Sequence, residues 1–272
     1  MWCVSFRETG DFADIPHLFH FLELLMVFFA RESNPDKVSH ITFPQWEGDS
    51  WKGKNGVNHN EWILKRMYPG VIFHYRDEEG PATIVDRASL DGGNISKAWC
   101  KYIRRFDPHL WARTLKIQYI PSRHPVVTYV SRQSARFRTL DPQIHENFVN
   151  SMMNIPDIEF VVARMETMSF DKQFELANRT DLLIGVHGNG LSHAAFMHPH
   201  RNVIEIFVPG TIFEWDYYTL SKMMGHEYMC IFNSRPCLPQ MFVKNRWTRC
   251  ISCTSVPIEP INAVIDQIKE EH

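Results

Sequence analysis

Residues 180–193 read TDLLIGVHGNGLSH, and this stretch decides the fold. The apolar run at 182–186 is typical of a strand that is buried on both faces of a parallel sheet. A glycine-rich turn that carries His187 follows, and a helical segment begins at once. Open α/β sheets bind ligands at such turns, because glycine permits close backbone approach and the amides that open a helix favour an anion. The stretch therefore predicts an α/β fold with a phosphate-bearing ligand at this turn.

The order of the glycines argues against two common nucleotide-binding motifs. Gly185, Gly188 and Gly190 are spaced GxxGxG, whereas the dinucleotide fingerprint is GxGxxG and would require its third glycine at His193. The lysine of a P-loop does not follow either. A NAD-dependent oxidoreductase is therefore disfavoured, and on the glycines alone a purely structural turn stays open.

The second half of the chain alternates between short apolar runs and amphipathic segments, which predicts a doubly wound parallel sheet. The expected strands are 126–130, 158–163, 181–186, 202–208 and 228–232, and the expected helices are 142–153, 169–178, 191–197, 213–224 and 259–269. The first half is less regular, with a helix expected at 15–30. The segment PSRHP at 121–125 is the best linker candidate, which predicts domains 1–121 and 122–272.

Bulk properties exclude some classes of protein. The 272 residues suffice for a large core, and the net charge of −2 gives no basic field for a nucleic acid. The longest apolar run, residues 18–30, is too short to span a bilayer, and no signal peptide is visible. The six cysteines include CISC at 250–253 but lack the paired spacing of a zinc ribbon. Disulfides are expected only in an oxidising compartment.

Several segments together resemble glycosyltransferase family 61. Residues 185–192 are similar to its core motif GxHGxGL(T/S). Other family motifs are resembled, in the same order, by YVSR at 129–132, RTLD at 138–141, FMHPHRNVIEIFVP at 196–209, WDYYTL at 215–220 and GHEY at 225–228. Nearer the start, FHFLE at 19–23 resembles its HFLx(D/E) helix. Asp141 departs from the pattern, because the family usually has asparagine there.

The resemblance implies a GT-B-like fold of two Rossmann-like halves with the active site between them. Residues 1–121 would hold the acceptor and residues 122–272 the nucleotide sugar. It also implies an inverting transferase that moves a sugar from a UDP-sugar to a glycan or glycoprotein, without a further cofactor. Relatives of this kind work in the Golgi or the ER lumen, so a secretory location is expected. This chain shows no membrane anchor.

Residues at the carboxyl ends of the expected strands are the candidate donor site. Arginines bind phosphate oxygens bidentately, and a carboxylate inside an apolar strand needs a partner, such as a ribose hydroxyl. The candidates are Arg132, Arg138, Asp141, Gly185, His187, Gly188, Gly190, Leu191, Ser192 and Glu205. Asp-x-Asp is absent from the chain and the histidines are scattered, so no metal is expected to hold the diphosphate.

The catalytic base is sought in the first half of the chain. His20 and Glu23 share one face of an expected helix that the resemblance assigns to the acceptor side, and a base must reach the acceptor hydroxyl. Asp11, Asp14 and the loop at 45–60 are further options. Two alternatives to a transferase stay open at this point. They are a nucleotide-sugar-binding protein without activity and the disfavoured oxidoreductase.

Overall fold

The computed structural model describes residues 3–7, 18–32, 34–43, 59–75, 83–86, 103–135, 137–212, 215–237 and 249–271. The chain divides into two compact units, Met1–Lys116 and Ile117–His272. Both units contain parallel strands and helices, so the expected α/β, GT-B-like fold class is confirmed. The assignment of acceptor and donor to separate domains stays a prediction.

The N-terminal unit contains a small parallel sheet. Its elements are β1 Cys3–Arg7, α1 Leu18–Arg31, β2 His40–Phe43, α2 His59–Met67, β3 Ile72–Tyr75, β4 Thr83–Asp86, a 3₁₀ turn Ile103–Arg105 and α3 Pro108–Leu115. The strand order is β3-β2-β1-β4. The sequence did not predict the central strand β1, because CVSFR alternates with polar residues and forms no apolar run. In α1, residues 25–30 are all buried. Of the helices within the described ranges, none combines the length and apolar character that a membrane crossing requires.

The C-terminal unit contains the larger sheet. Its elements are β5 Val126–Val130, α4 Pro142–Met153, β6 Glu159–Ala163, a 3₁₀ turn Met165–Thr167, α5 Phe170–Arg179, β7 Leu182–Val186, a 3₁₀ helix Asn189–Phe196, β8 Asn202–Ile206, α6 Asp216–Met223, β9 Glu227–Phe232, β10 Arg235–Cys237 and α7 Glu259–Glu271. The expected strands are present in this unit. The helix expected at 191–197 is present as the 3₁₀ helix Asn189–Phe196.

The order of the strands creates a switch point between β5 and β7. The sheet runs β10-β9-β8-β7-β5-β6, with β10 antiparallel to β9 and the other pairs parallel. From β5 the chain moves outward to β6 and then returns to the other side of β5 to form β7. Ligands of open α/β sheets bind beyond the carboxyl ends of the strands at such a reversal. Here the two ends lie side by side, with Val130 paired to Gly185.

Helices cover both faces of this sheet. On one face Ile184 belongs to an apolar core that includes Phe148 from α4 and Ile265 from α7. Successive strand residues point to opposite faces, so Gly185 faces the other side of the sheet. There it lies against Leu191 of the 3₁₀ helix. That helix also contacts α5 and α6. The sheet is therefore doubly wound, as expected.

A disulfide joins the last two strands. Cys230 and Cys237 are bonded at a position where β9 and β10 pair directly. Asn233 and Ser234 connect the strands with φ angles of 50° and 58°, which is typical of a two-residue hairpin turn. The sequence did not identify this pair, because the spacing of six cysteines alone allows many connections.

Acid is expected to destabilise the C-terminal unit through His226. This buried ring donates from Nε2 to the carbonyl oxygen of Ala194 over 2.9 Å and accepts at Nδ1 from the amide of Arg201 over 3.0 Å. Burial, with smaller effects from nearby positive charges, lowers its pKa to about 4. An unfolded histidine takes up its proton near pH 6.5. The contribution to stability is therefore complete above that pH and lost as the pH falls towards 4, by about 3 kcal/mol.

Urea unfolding of the wild type and of His226→Gln at pH 7 and pH 4.5 tests this expectation. The glutamine amide still offers a donor and an acceptor but does not titrate. The variant should be less stable at pH 7 and should lose less stability on acidification. An equal loss in both proteins would assign the acid sensitivity to other groups.

Candidate functional site

The switch point brings Arg132, which follows β5, against Gly188, which follows β7. A Cβ atom at Gly188 would lie 2.1 Å from Nη1 of Arg132. The φ of Gly188 is 142°, a conformation that L side chains rarely adopt. Glycine is therefore required for the guanidinium to pack against this turn. Two residues that the sequence proposed separately are in contact here.

Arg132 has the features of a residue that binds an anion. Its Nε atom is buried and has no hydrogen-bond partner among the described residues. Burial lowers the pKa of the guanidinium, and the positive charge of Arg138 lowers it further. A buried donor without a partner costs about 1–3 kcal/mol. A bound anion would accept from this nitrogen and offset the repulsion between the two arginines.

His187 is hydrogen-bonded to a buried carboxylate. Its Nδ1 donates to Oε1 of Glu205 over 2.5 Å, and the hydroxyl of Tyr228 donates to the other carboxylate oxygen. The imidazole stacks on Phe207, with 5.2 Å between ring centres, and meets the edge of Tyr217 at 5.6 Å. His187 is 2% exposed and Glu205 is fully buried. The ring therefore has one fixed orientation.

The buried pair favours a positively charged His187. A carboxylate without solvent needs a compensating charge, and a second proton on the imidazole provides it. The expected contact between Glu205 and a ribose does not fit this geometry, because both carboxylate oxygens are engaged and the group is fully buried. Glu205 is instead a positioning residue for His187.

Four of the predicted donor residues have packing roles in the turn. A Cβ atom at Gly185 would lie 2.9 Å from Cδ2 of Leu191, and one at Gly190 would lie 2.6 Å from Cγ1 of Val130. Leu191 is fully buried and its amide donates to the carbonyl oxygen of Gly188. Ser192 is also fully buried, and its hydroxyl donates to Asn189. The side chains of Leu191 and Ser192 pack within the turn, and their donor contacts stay a prediction.

His193 anchors the 3₁₀ helix. Its Nδ1 is hydrogen-bonded to the carbonyl oxygen of Gly190 and its Nε2 to Oε1 of Gln173, both over 2.8 Å. The amide nitrogen of Gln173 donates to the carbonyls of Met165 and Met168, which fixes the direction of its oxygen. Both ring nitrogens therefore take part in hydrogen bonds that fix the ring. The sequence suggested no more than a helix residue here.

Arg138 and Asp141 lie on the loop after β5. Arg138 is exposed with a φ of 59°. The Oδ1 atom of Asp141 accepts from the amides of Gln143 over 2.9 Å and Ile144 over 3.4 Å, so this residue caps α4. Both residues also line an open pocket of about 350 Å³. Arg136 lies outside the described residues.

The proposed catalytic pair stays a prediction. His20 and Glu23 belong to α1, as expected, but their side chains lie outside the described residues. Asp11, Asp14 and most of the loop at 45–60 also lie outside them. Within the described ranges, no three His, Cys, Asp or Glu side chains come together in a group that could hold a metal ion.

Two tyrosines complete the site and were missed by sequence reasoning. Burial raises the pKa of Tyr217 and of Tyr228 well above the ordinary value, and the charge of Glu205 raises both further. Both residues lie in segments that resemble family motifs. Tyr228 lies on the same face of β9 as Cys230, which pairs with Glu205 across the sheet, but no local sequence pattern specifies that register.

Gly188→Ala is expected to weaken binding of UDP by about tenfold. The new methyl group would displace the Arg132 guanidinium in addition to straining the backbone. Gly70→Ala is the matched control, because Gly70 has a φ of 84° but a Cβ atom there would meet nothing within 4 Å. Calorimetric titration should show weaker binding in the first variant only. Equal effects in both would mean that strain, and not Arg132, is responsible.

Two comparisons with known proteins point to one enzyme class. The family described as Glycosyltransferase 61 matches residues 18–204, a range that includes every residue proposed for the donor site except Glu205. The EGF domain-specific O-linked N-acetylglucosamine transferase of Bos taurus is 24% identical over 139 residues, which are 50% of this chain and 26% of the bovine protein. The match thus spans about a quarter of that relative's length.

Proposed function

The chain belongs to glycosyltransferase family 61, and from this membership we propose that it transfers a sugar from a UDP-sugar to a glycan or glycoprotein. The observation that carries the donor proposal is the contact between Arg132 and the turn after β7, where a buried guanidinium nitrogen lacks a partner among the described residues. The oxygens of a diphosphate are the acceptors that such a nitrogen requires.

The proposed reaction is a single displacement with inversion. The acceptor oxygen forms a bond to the anomeric carbon, the bond from that carbon to the diphosphate oxygen breaks, and UDP leaves with the electron pair. Negative charge develops on the leaving diphosphate. We assign Arg132, Arg138 and His187 to that charge, because donors oriented in advance stabilise a transition state most effectively.

The proton of the acceptor hydroxyl needs a base, and the family resemblance assigns this role to α1. If Glu23 is the base, Glu23→Gln should keep its UDP affinity and lose about 10²–10⁴-fold in transfer rate. If His20 is the base, the loss moves to His20→Ala. Near-normal rates in both variants would exclude the pair.

The acceptor and the compartment are proposed from the relative and from one structural feature. The bovine relative is named for O-linked N-acetylglucosamine transfer to EGF domains. UDP-N-acetylglucosamine and a protein domain with hydroxyl side chains are therefore the first pair to test. The Cys230–Cys237 disulfide supports a location in the secretory lumen, because disulfides persist in oxidising compartments.

A thermal shift measurement and a donor screen test the function. UDP should stabilise the protein and NAD should not, and one member of a UDP-sugar panel should release UDP when an acceptor is added. Binding of UDP without transfer to any acceptor would favour a binding protein. Stabilisation by NAD instead of UDP would favour an oxidoreductase.

Transfer should not depend on a metal ion. We assign the neutralisation of the diphosphate to arginine and histidine side chains, so EDTA should leave the rate of UDP release unchanged. Added Mn²⁺ after EDTA treatment is the control. Complete loss of activity with EDTA and recovery with Mn²⁺ would overturn this part of the mechanism.

A further inference from the structure

The pocket of about 350 Å³ that Arg138 and Asp141 line is formed by two segments of the C-terminal unit and by Cys253. Residues 137–141 follow β5, and Val208 and Pro209 follow β8. Because β7 lies between these strands, the pocket lies at the carboxyl end of β7, where His187 follows. The positive charge of Arg138 is also close enough to Arg132 to lower the pKa of its guanidinium. The pocket therefore adjoins the proposed diphosphate position.

The lining of the pocket has the chemistry of a small-molecule site. Leu140 and Val208 are buried apolar side chains, and Phe137 is a phenyl ring that is 69% exposed. Asp141 and Arg138 are polar and exposed at the same pocket. Small-molecule sites usually combine apolar walls with a few polar groups, at volumes of about 300–1,000 Å³.

A buried hydroxyl lies near Cys253, one of the residues that line the pocket. The OH of Tyr129 is buried and has no hydrogen-bond partner within the described ranges. Burial raises the pKa of Tyr129 and the nearby Cys253 raises it further, while Cys253 itself lines the pocket. Buried hydroxyls are nearly always hydrogen-bonded. An unpaired one indicates that an ordered water completes its hydrogen bonding next to Cys253.

We propose that this pocket holds the nucleoside of the donor, with the base stacked on Phe137. The proposal rests on the proposed function, because the position next to Arg132 identifies the ligand as a nucleotide. A flat base suits the walls of Leu140, Val208 and Phe137, whereas a sugar ring with its hydroxyls requires more polar partners. The loop at 137–141 then contributes twice, with Arg138 at the phosphate and Phe137 at the base.

Calorimetric titrations with UDP and with inorganic pyrophosphate, which has no base, test the proposal. Phe137→Ala should lower the affinity for UDP about tenfold, the order expected for one stacked base, and should leave the affinity for pyrophosphate unchanged. Phe137→Tyr should restore UDP affinity. Met153→Ala is the matched control, because Met153 is another exposed apolar side chain of this unit, 63% exposed, and should bind UDP like the wild type.

Alkylation of Cys253 provides an independent measurement. Its thiol has a pKa raised to about 11 by burial, so iodoacetamide labelling at pH 9 is slow enough to follow by mass spectrometry. UDP should protect Cys253, and pyrophosphate should not.

The outcomes separate this proposal from the proposed function. If the wild type binds neither UDP nor pyrophosphate, both are overturned. Suppose that Arg132→Ala lowers the affinity for UDP, that Phe137→Ala does not, and that UDP leaves Cys253 reactive. The proposed function then stands, and the base binds elsewhere. Equal weakening of UDP and pyrophosphate in Phe137→Ala also overturns the stacking role, since only the base should be affected.

Discussion

UDP is expected to bind about a hundredfold more weakly to Arg132→Ala than to the wild type, a loss of about 3 kcal/mol. The guanidinium packs on Gly188 at the switch point and has a buried nitrogen that needs an acceptor. Removal of the side chain removes charge-assisted hydrogen bonds to the diphosphate. Arg132→Lys should recover only part of the affinity, because lysine keeps the charge but lacks the planar pair of donors. Calorimetric titration measures both variants.

Arg179→Ala is the control for this prediction. Arg179 forms two hydrogen bonds with Glu159, at 3.0 Å and 2.6 Å, where β6 begins and therefore away from the carboxyl ends of the strands. Its loss should lower stability slightly and leave UDP affinity unchanged. If Arg132→Ala binds UDP as tightly as Arg179→Ala, the diphosphate does not lie at this turn.

The strands of the C-terminal unit could be predicted because burial on both faces leaves a direct record in the sequence. β5 and β7 consist of residues that are buried without exception, and each is read as a short apolar run. The glycine turn after β7 was also evident. By contrast, β1 in the N-terminal unit has only CVSFR, and its strand conformation depends on pairing with β2 and β4.

The roles within the candidate site depend on contacts that sequence spacing does not report. Glu205 lies 18 residues from His187 and 23 from Tyr228 along the chain, yet contacts both. These contacts follow from the register of β7, β8 and β9, which no local pattern specifies. A carboxylate in an apolar strand signals that a partner exists but does not identify it. The sequence therefore indicated that Glu205 has a partner while it assigned the residue to the ribose.

The turn after β7 shows the same limit on a smaller scale. Its motif indicates that glycines are needed, but not for what purpose. In the structure Gly188 accommodates Arg132, whereas Gly185 and Gly190 accommodate Leu191 and Val130. The distinction between a ligand contact and a packing contact is a property of the folded turn.

Glu205→Gln is expected to lower the transfer rate by about 10²-fold, with a smaller effect on UDP affinity. The amide has the shape of the carboxylate but not its charge, so the second proton of His187 loses its counter-charge. A neutral imidazole is a weaker donor to the leaving diphosphate, and loss of one oriented donor typically costs about 10²–10³ in rate. Tyr228→Phe is the control, because it keeps the carboxylate and its contact with His187.

Rates in a double-mutant cycle decide whether Glu205 acts through His187. If it does, Glu205→Gln should have almost no further effect in a His187→Ala background, since residues that act as a unit are not additive. Full additivity would contradict the positioning role.

Comparison of UDP with 2′-deoxy-UDP tests the ribose contact that the sequence suggested. Glu205→Gln should keep the wild-type preference between them, because the fully buried carboxylate is occupied by His187 and Tyr228. Loss of that preference in Glu205→Gln would instead support a contact between Glu205 and the ribose.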